Sequence, residues 1–571
     1  MADTVGATAA SAPLLAKRDE KTSAGMFPIS RFLLLPLIAA VVLLLSPLFL
    51  GLSFLIFLTL LICAAVSDGL GILSAGDAKA EPLDGLDQDY MKLFKTSDKE
   101  VSSQSLKVVE GRLPHEICGT YYMTGPSCIW AHDDPINPFD GHAFVRAFEI
   151  RDGHIALTAR FVRTEAFEKE EAAGRRIYRG FGSLLQGRFP RLRNLLFSRF
   201  SMNNPNICVQ RWGERLLSLG ESGTGTGPMV LDPKTLEMKA NTLTFGGNVK
   251  ASENTLAHTR ENRSKQLVMV ARDFRSGTLR FLEVDKQGEV RHERTWKMPR
   301  SCYVHDFAVT EDYYIVIESP QTMAPLMFTK ALFGWHPITA SMVTDQTKES
   351  YLVLIPRDVE KEPQEFPLGA HYFCFHHANA WMCKDELHVH SVVMKKFQFA
   401  DAFGYNPGRR HLHARWAAGA GSALLSATVD LKTGKVSTML APELKGDFPE
   451  VHPNFEGQPS EWCYLASSYI PELFTPFNSL LQASLCDGVA VGRWDAPPHV
   501  YIGEPKVIAT GTRESDGYVV VLLYDCAKER TELAIFEAGQ ISRGPICRCA
   551  CDAMLPFGFH GSWAPAGKET I

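Results

Sequence analysis

A surplus of positive charge is missing from this chain. Its 571 residues carry 59 Lys and Arg against 64 Asp and Glu, a net charge of −5 at pH 7. A protein built around nucleic acid neutralises phosphates with a basic excess, so that role is excluded. Dense cysteine spacing is missing too. The 13 cysteines are odd in number and scattered, unlike the close, even pattern of a secreted disulfide scaffold. The thiols therefore read as reduced, in a cytosolic or organellar compartment. The one tight group, Cys547, Cys549 and Cys551 in CRCAC, steps by two. That spacing puts all three on one face of a strand, as small apolar core residues. No clean internal repeat is visible, which leaves the architecture open.

One hydrophobic run is present in abundance. From Phe32 to Val66 there are 35 residues without a charge, FLLLPLIAAVVLLLSPLFLGLSFLIFLTLLICAAV. About 20 apolar residues in a helix cross a bilayer, so the run exceeds one span and falls short of two. Ser46-Pro47 is placed to kink it or turn it back, because proline removes a helical hydrogen bond. Lys17, Arg18, Lys21 and Arg31 precede the run, whereas Asp68, Asp77, Glu81 and Asp84 follow it with only Lys79. A single span would leave the N-terminus on the cytoplasmic side. Ala78-Lys79-Ala80 resembles a cleavage site, but the run is much longer than the apolar core of a signal peptide. It reads as a membrane anchor. The implied organisation is a tail over 1–31, a transmembrane or re-entrant segment over 32–66, a polar linker over 67–104 and a catalytic body over 105–571.

Within that body, short β-rich runs recur between Gly, Asp, Asn and Pro. RFLEV at Arg280, YYIVIES at Tyr313, SYLVLIP at Ser350, ELHVHSVVM at Glu386, YVVVLLY at Tyr518 and ELAIFEA at Glu532 alternate and carry β-branched residues, as strands do. DKQGEV and DLKTGKV read as hairpin turns. An all-β barrel, sandwich pair or propeller follows. Three stretches interrupt the pattern: residues 183–201, rich in Arg, Leu and Phe, and the apolar, aromatic 324–342 and 469–482. Each reads either as a helix packed on the core or as part of an apolar, partly basic lip on a membrane surface.

Four of the 18 histidines stand at the edges of apolar β-like runs: His258, His305, His376 and His560. Their separations of 47, 71 and 184 residues match no local metal motif. A metal-bound imidazole usually gives its second N–H to a carboxylate, and Glu221, Asp447 and Glu504 occupy similar strand-edge contexts. A multi-histidine iron or zinc site in an all-β protein is as far as the residues alone lead.

The segments GTYYMTGPSCIW, NPFDGHAFVRAFEI, YIGEPKV, ESDGYVVVLLYD and LPFGFHGSW resemble those of the carotenoid cleavage oxygenase family, in the same order and over residues 105–565. The resemblance implies a seven-bladed β-propeller with a helical dome over the iron face. It also implies one Fe(II) per chain, held by His258, His305, His376 and His560 and backed by Glu221, Asp447 and Glu504. His376 is preferred to His377 because the family's ligand lies three residues before the Asn of NA, here Asn379. The function implied is oxidative cleavage of a C=C bond in a lipophilic carotenoid or apocarotenoid, with dioxygen as co-substrate and two carbonyl products. Membrane association follows, on a plastid or other intracellular membrane.

GTYYMTGP, DGHAFVRAF, RTEAF, YRGFGSLLQG and the ending LPFGFHGSWA are most similar to the plant-type subgroup that cleaves at the 9,10 (9′,10′) bond on the strigolactone route. Asp447, where most of the family has Glu, fits that branch. Two departures stand out: Met382 replaces the usual Glu after NAW, and Ala166 replaces the lysine with which the stilbenoid-cleaving branch engages a phenol. The second argues against phenolic stilbenes as substrates. Two alternatives stay open: a family-type retinoid isomerohydrolase, and a membrane-anchored lipid-binding propeller without catalysis.

Overall fold

The computed structural model describes residues 53–70, 84–94, 99–127, 137–198, 204–221, 227–240, 242–300, 302–395, 422–470 and 475–567, with 397, 399, 404 and 473 singly. The expected N-terminal tail, the first part of the hydrophobic run to residue 52, and residues 71–83 and 95–98 of the expected linker lie outside the described residues. The chain has two compact units, residues 1–63 and 64–571. The described residues of the first unit belong to helix α1 (Ser53–Leu70), 18 residues long and apolar enough to cross a membrane. At 1.5 Å per residue it spans about 27 Å, close to the thickness of a bilayer's hydrocarbon core.

Seven β-sheets make up the second unit, with a two-stranded ribbon, residues 321–323 and 342–344, outside them. Six of the expected runs lie in strands: Thr278–Val284, Tyr313–Glu318, Tyr351–Pro356, Glu386–Met394, Gly517–Asp525 and Arg530–Glu537. Five of the sheets run as consecutive antiparallel meanders from an inner strand outward. One example is Phe373–Cys383, Glu386–Met394, Ser422–Asp430 and Lys435–Ala441. The other two join the ends of the chain. Strand Gly561–Pro565 completes the sheet of Gly119–Ser127, and Lys107–Gly111 completes the sheet of Cys547–Ala550. This is the seven-bladed propeller that the resemblance implies, and ring closure removes the open edges of a single large sheet.

Burial follows the strand period. In Cys547–Ala550 the cysteines turn into the core while Arg548 turns outward to Glu110 and Glu532. The CRCAC cysteines are core residues, with Cys547, Cys549 and Cys551 all buried. DKQGEV and DLKTGKV form the tight connections that join their antiparallel neighbours.

Two expectations need correction. The segment read as linker contains helix α2 (Gly85–Leu93) and a strand over Val101–Ser105. Asp84 caps α2 by accepting from the Asp87 N–H at 2.8 Å, and Tyr90 and Leu93 pack into the main core. Among the described residues, 469–482 contribute no helix to a lip. Tyr469 is exposed, but Leu473 and Phe477 pack into the main core, and the stretch runs into strand Ser479–Ser484. The other two stretches do form helices: α4 (Pro190–Leu196) and α5 (Pro325–Leu332), following α3 (Glu165–Ala173). Arg179 ties the end of α5 to the α4 region by donating to the carbonyls of Ala331 and Leu332. Phe197 and Leu326 are 69% and 68% exposed there.

Candidate metal centre

Inner strands bring the four histidines to one point. His376 lies within Phe373–Cys383, while His258, His305 and His560 lie at or just before the inner strand segments of their blades. His560 is clamped in place: its N–H donates to Ile207, and its carbonyl accepts from Thr124. Gly561, the next residue, has no room for a side chain, since an added Cβ would stand 2.2 Å from the Tyr122 carbonyl oxygen.

One potential ligand nitrogen from each ring lies within 4.8 Å of the corresponding atoms of the other three. His258 Nε2 and His305 Nε2 are 3.1 Å apart. Two nitrogens bound at about 2.1 Å on adjacent corners of an octahedron stand about 3.0 Å apart, so the spacing suits a shared metal ion. His305, His376 and His560 are buried and His258 half-buried.

The carboxylates fix which nitrogen faces inward. Glu221 pairs with His305 Nδ1 at 3.0 Å, Asp447 with His376 Nδ1 at 2.6 Å and Glu504 with His560 Nδ1 at 2.8 Å. An ionised carboxylate accepts, so each Nδ1 carries the proton and each Nε2 presents its lone pair to the centre. Among the described residues no carboxylate pairs with His258. His376 Nε2 is buried without a hydrogen-bond partner, as an imidazole nitrogen awaiting a cation would be. Neutral imidazoles suit iron, zinc, copper or nickel. The residues fit a metal ion.

Electrostatics favour the neutral form of two of the rings. Burial, then the neighbouring imidazoles, hold His258 and His560 well below the usual histidine range. Burial also acts against charge on His376, but Asp447 outweighs it and moves that pKa up. Burial opposes ionisation of Glu221, yet His305, Arg272 and the Tyr303 hydroxyl outweigh it and bring its pKa down to about 2. Glu504 moves the other way, because burial exceeds the help from Lys506 and the Gly561 N–H.

All seven expected site residues are therefore brought together. His377 is set apart: its Nδ1 pairs with Ser391 at 2.8 Å, and its ring is kept neutral by burial, with a pKa near 4. Met382 lies at the outer end of its strand, packed against a neighbouring blade's core. Ala166 is buried in α3 against Tyr178 and does not line the cleft beside the histidines, so its size supplies no structural argument about phenolic substrates.

Several contributors were not legible in the sequence. Tyr303 donates its hydroxyl to Glu221 at 2.5 Å, on the oxygen that pairs with His305. Phe448 packs against His376 and His560. Their one local signal is proximity, each lying within two residues of an expected site residue. An aromatic cleft reaches His305 and Glu221, with Phe139, Phe181, Tyr303, Phe375 and Phe399 on its walls. The FDGH motif builds part of it: Asp140 accepts from the N–H groups of Phe181 and Gly182 at 2.5 and 3.0 Å. A Cβ at Gly180 would fall 2.0 Å from the Asp140 carboxyl carbon, which explains the glycine in YRGFG.

Comparison with known proteins agrees with this geometry. The chain is 29% identical over 499 residues to apocarotenoid-15,15′-oxygenase of Synechocystis, covering 84% of this chain and 96% of the relative. It is 27% identical to carotenoid cleavage dioxygenase 7, chloroplastic, of Oryza sativa, covering 83% and 91%. A solved Synechocystis apocarotenoid oxygenase superposes with a TM-score of 0.74 at 28% identity, over 84% of this chain and 99% of that one. A cobalt-substituted form of the Synechocystis enzyme matches equally well, with a TM-score of 0.74. The sequence profile of the retinal pigment epithelial membrane protein family matches residues 94–565. The chain belongs to that family, which includes the carotenoid oxygenases.

Proposed function

We propose that this protein is a non-haem Fe(II) dioxygenase that cleaves one C=C bond of a carotenoid or apocarotenoid into two carbonyl products. In this reading His258, His305, His376 and His560 bind the iron, and Glu221, Asp447 and Glu504 orient three of them. The observation that carries it is the convergence of four imidazoles at the end of an aromatic cleft. Bound there, iron supplies the coordination and activation of dioxygen. The chain's own residues do the rest. Phe139, Phe181, Phe375 and Phe399 give a polyene an apolar slot, and stacking on their rings favours conjugated chains. Three carboxylates hold the imidazoles in one tautomer.

The bond attacked is set by how far a polyene slides along the cleft. Likeness to the carotenoid 9,10(9′,10′)-cleavage dioxygenase 1 of Pisum sativum supports the 9,10 (9′,10′) bond; likeness to the Synechocystis enzyme supports 15,15′. We take the first, on the RTEAF, YRGFGSLLQG and LPFGFHGSWA segments. Residues 32–66 anchor the chain in a plastid or other intracellular membrane, and the α4 and α5 surface meets the bilayer where a polyene dissolves. The catalytic body spans 105–571, with helix α2 and the strand Val101–Ser105 packed onto it.

Incubation with a panel of carotenoids, with product identification and dioxygen uptake, tests this reading. Two carbonyl products from one polyene, with dioxygen consumed, are expected. Ester hydrolysis without dioxygen uptake would indicate an isomerohydrolase instead, and a metal-free inert protein would indicate a binding propeller.

A further inference from the structure

Two different cavities meet at the four histidines. One is the aromatic cleft, of about 50 Å³. The other, of about 230 Å³, reaches His258, His376 and His560 and is lined by Arg260, Asp306, Glu450, Glu456 and Lys506. The chain direction separates them. Residues just before a histidine face the aromatic cleft, as Tyr303 and Phe375 do. Residues just after one line the polar cavity, as Arg260, Asp306, His377 and Ser562 do. The two spaces therefore approach the centre from opposite ends of the inner strands.

Four further observations concern the polar cavity. His258, the half-buried ring, lines it and not the aromatic cleft. The unpartnered Nε2 of His376, a residue only 6% exposed, belongs to a ring that lines it. The charges on its wall are held in pairs. Lys506 donates to Glu450 at 2.9 Å, and Arg260 bridges Asp306 at 2.5 Å and Glu456 at 3.3 Å. Pro453, also on the wall, is exposed at the surface.

We propose that this polar cavity is the route by which the metal ion enters and leaves the four-histidine site, with the Glu450–Lys506 pair setting the electrostatic barrier. The inference rests on the metal-site reading above. A divalent ion travels hydrated, and the polar cavity is the roomier of the two spaces and the one with charged groups on its wall. Stripping the ion to pass between phenyl rings would forfeit hydration that nothing there replaces. Carboxylates along a polar wall substitute for lost water, and a paired ammonium keeps them from trapping the ion midway.

The test uses metal exchange in the full-length protein. Metal-free protein is mixed rapidly with Co(II), and filling is followed by the visible absorption of histidine-bound cobalt. Iron release is followed separately by transfer to a coloured Fe(II) chelator. Glu450→Gln removes the carboxylate hydrogen-bonded to the Lys506 ammonium, leaving it only the Glu504 charge nearby, and is expected to slow entry about tenfold, within the range for electrostatic gating. Lys506→Met leaves Glu450 uncompensated and should speed entry. High salt should shrink both differences. The double substitution Glu450→Gln with Lys506→Met removes both charges and should fill at close to the wild-type rate, which keeps the test decisive if a single variant folds poorly. Phe399→Ala, in the aromatic cleft, should leave filling unchanged. Filling that responds to Phe399→Ala and ignores the charge variants would overturn the route. Wild-type protein that takes up no cobalt would overturn the metal site itself, and the route with it.

Discussion

Replacing each carboxylate behind the histidines by its amide should give unequal losses of metal, ranked by whether its donors use both carboxylate oxygens or only one. Glu504 accepts His560 Nδ1–H on Oε1 and Gly561 N–H on Oε2, both at 2.8 Å. The amide of Glu504→Gln has one acceptor and one donor, so one of those N–H groups must face another N–H. If the amide instead donates to Nδ1, the imidazole proton moves to Nε2 and the ring cannot bind metal. Glu221 is in the same position. Oε2 serves His305 and Tyr303, and Oε1 serves the Ala257 N–H at 3.1 Å. Asp447 differs, because Oδ1 alone accepts from both His376 Nδ1 and the Phe448 N–H, at 2.6 and 2.8 Å. The oxygen of Asp447→Asn can keep both. An unsatisfied buried donor costs about 1–3 kcal/mol, and losing an orienting partner weakens metal binding about 10- to 100-fold. Asp447→Asn should sit near the lower end, about tenfold or 1.4 kcal/mol. Glu504→Gln and Glu221→Gln should sit near the upper end. Chelator competition against Co(II), with circular dichroism to establish folding, measures all three. Equal losses, or the largest loss at Asp447→Asn, would falsify the use of both oxygens as the governing factor.

His258→Ala, His305→Ala, His376→Ala and His560→Ala should each abolish turnover and sharply lower bound metal by elemental analysis. His377→Ala should retain metal, because its ring bonds Ser391 instead. Asp68 accepts from the Arg191 and Leu192 N–H groups at 3.2 and 3.0 Å, capping α4. Asp68→Ala should therefore lower stability by about 1 kcal/mol, read by denaturant titration. Phe197→Glu with Leu326→Glu should reduce turnover of substrate in liposomes while sparing turnover in detergent; equal activity on both would remove the α4 and α5 surface from substrate access. A chain beginning at Leu83 should fold, bind metal and cleave substrate in detergent, yet no longer resist carbonate extraction from membranes. Retention of that resistance would place the anchor elsewhere.

Short apolar, β-branched runs such as YVVVLLY and ELAIFEA, bounded by turn residues, marked strands directly, because a fully buried strand imposes its pattern on neighbouring residues. The hairpin turns at DKQGEV and DLKTGKV were equally local. Helix α2 was not legible, since GLDQDYMKL is mostly polar and its few core contacts come from blades distant in the chain. Residues 469–482 read either as a helix packed on the core or as part of a surface lip, because their composition does not say which partner covers them. The histidines were visible as residues but not as a set. Separations of 47, 71 and 184 residues carry no geometric information, and only likeness to a family grouped them. Tertiary structure decided the rest. Closing the ring with Gly561–Pro565 beside Gly119–Ser127 carries His560 to the axis. The same closure points Tyr303 and Glu221 at one imidazole, and divides an aromatic approach from a polar one. Strand period is a property of adjacent residues, whereas a metal site needs ångström-scale convergence of residues hundreds of positions apart. Only the packed ring of blades supplies that.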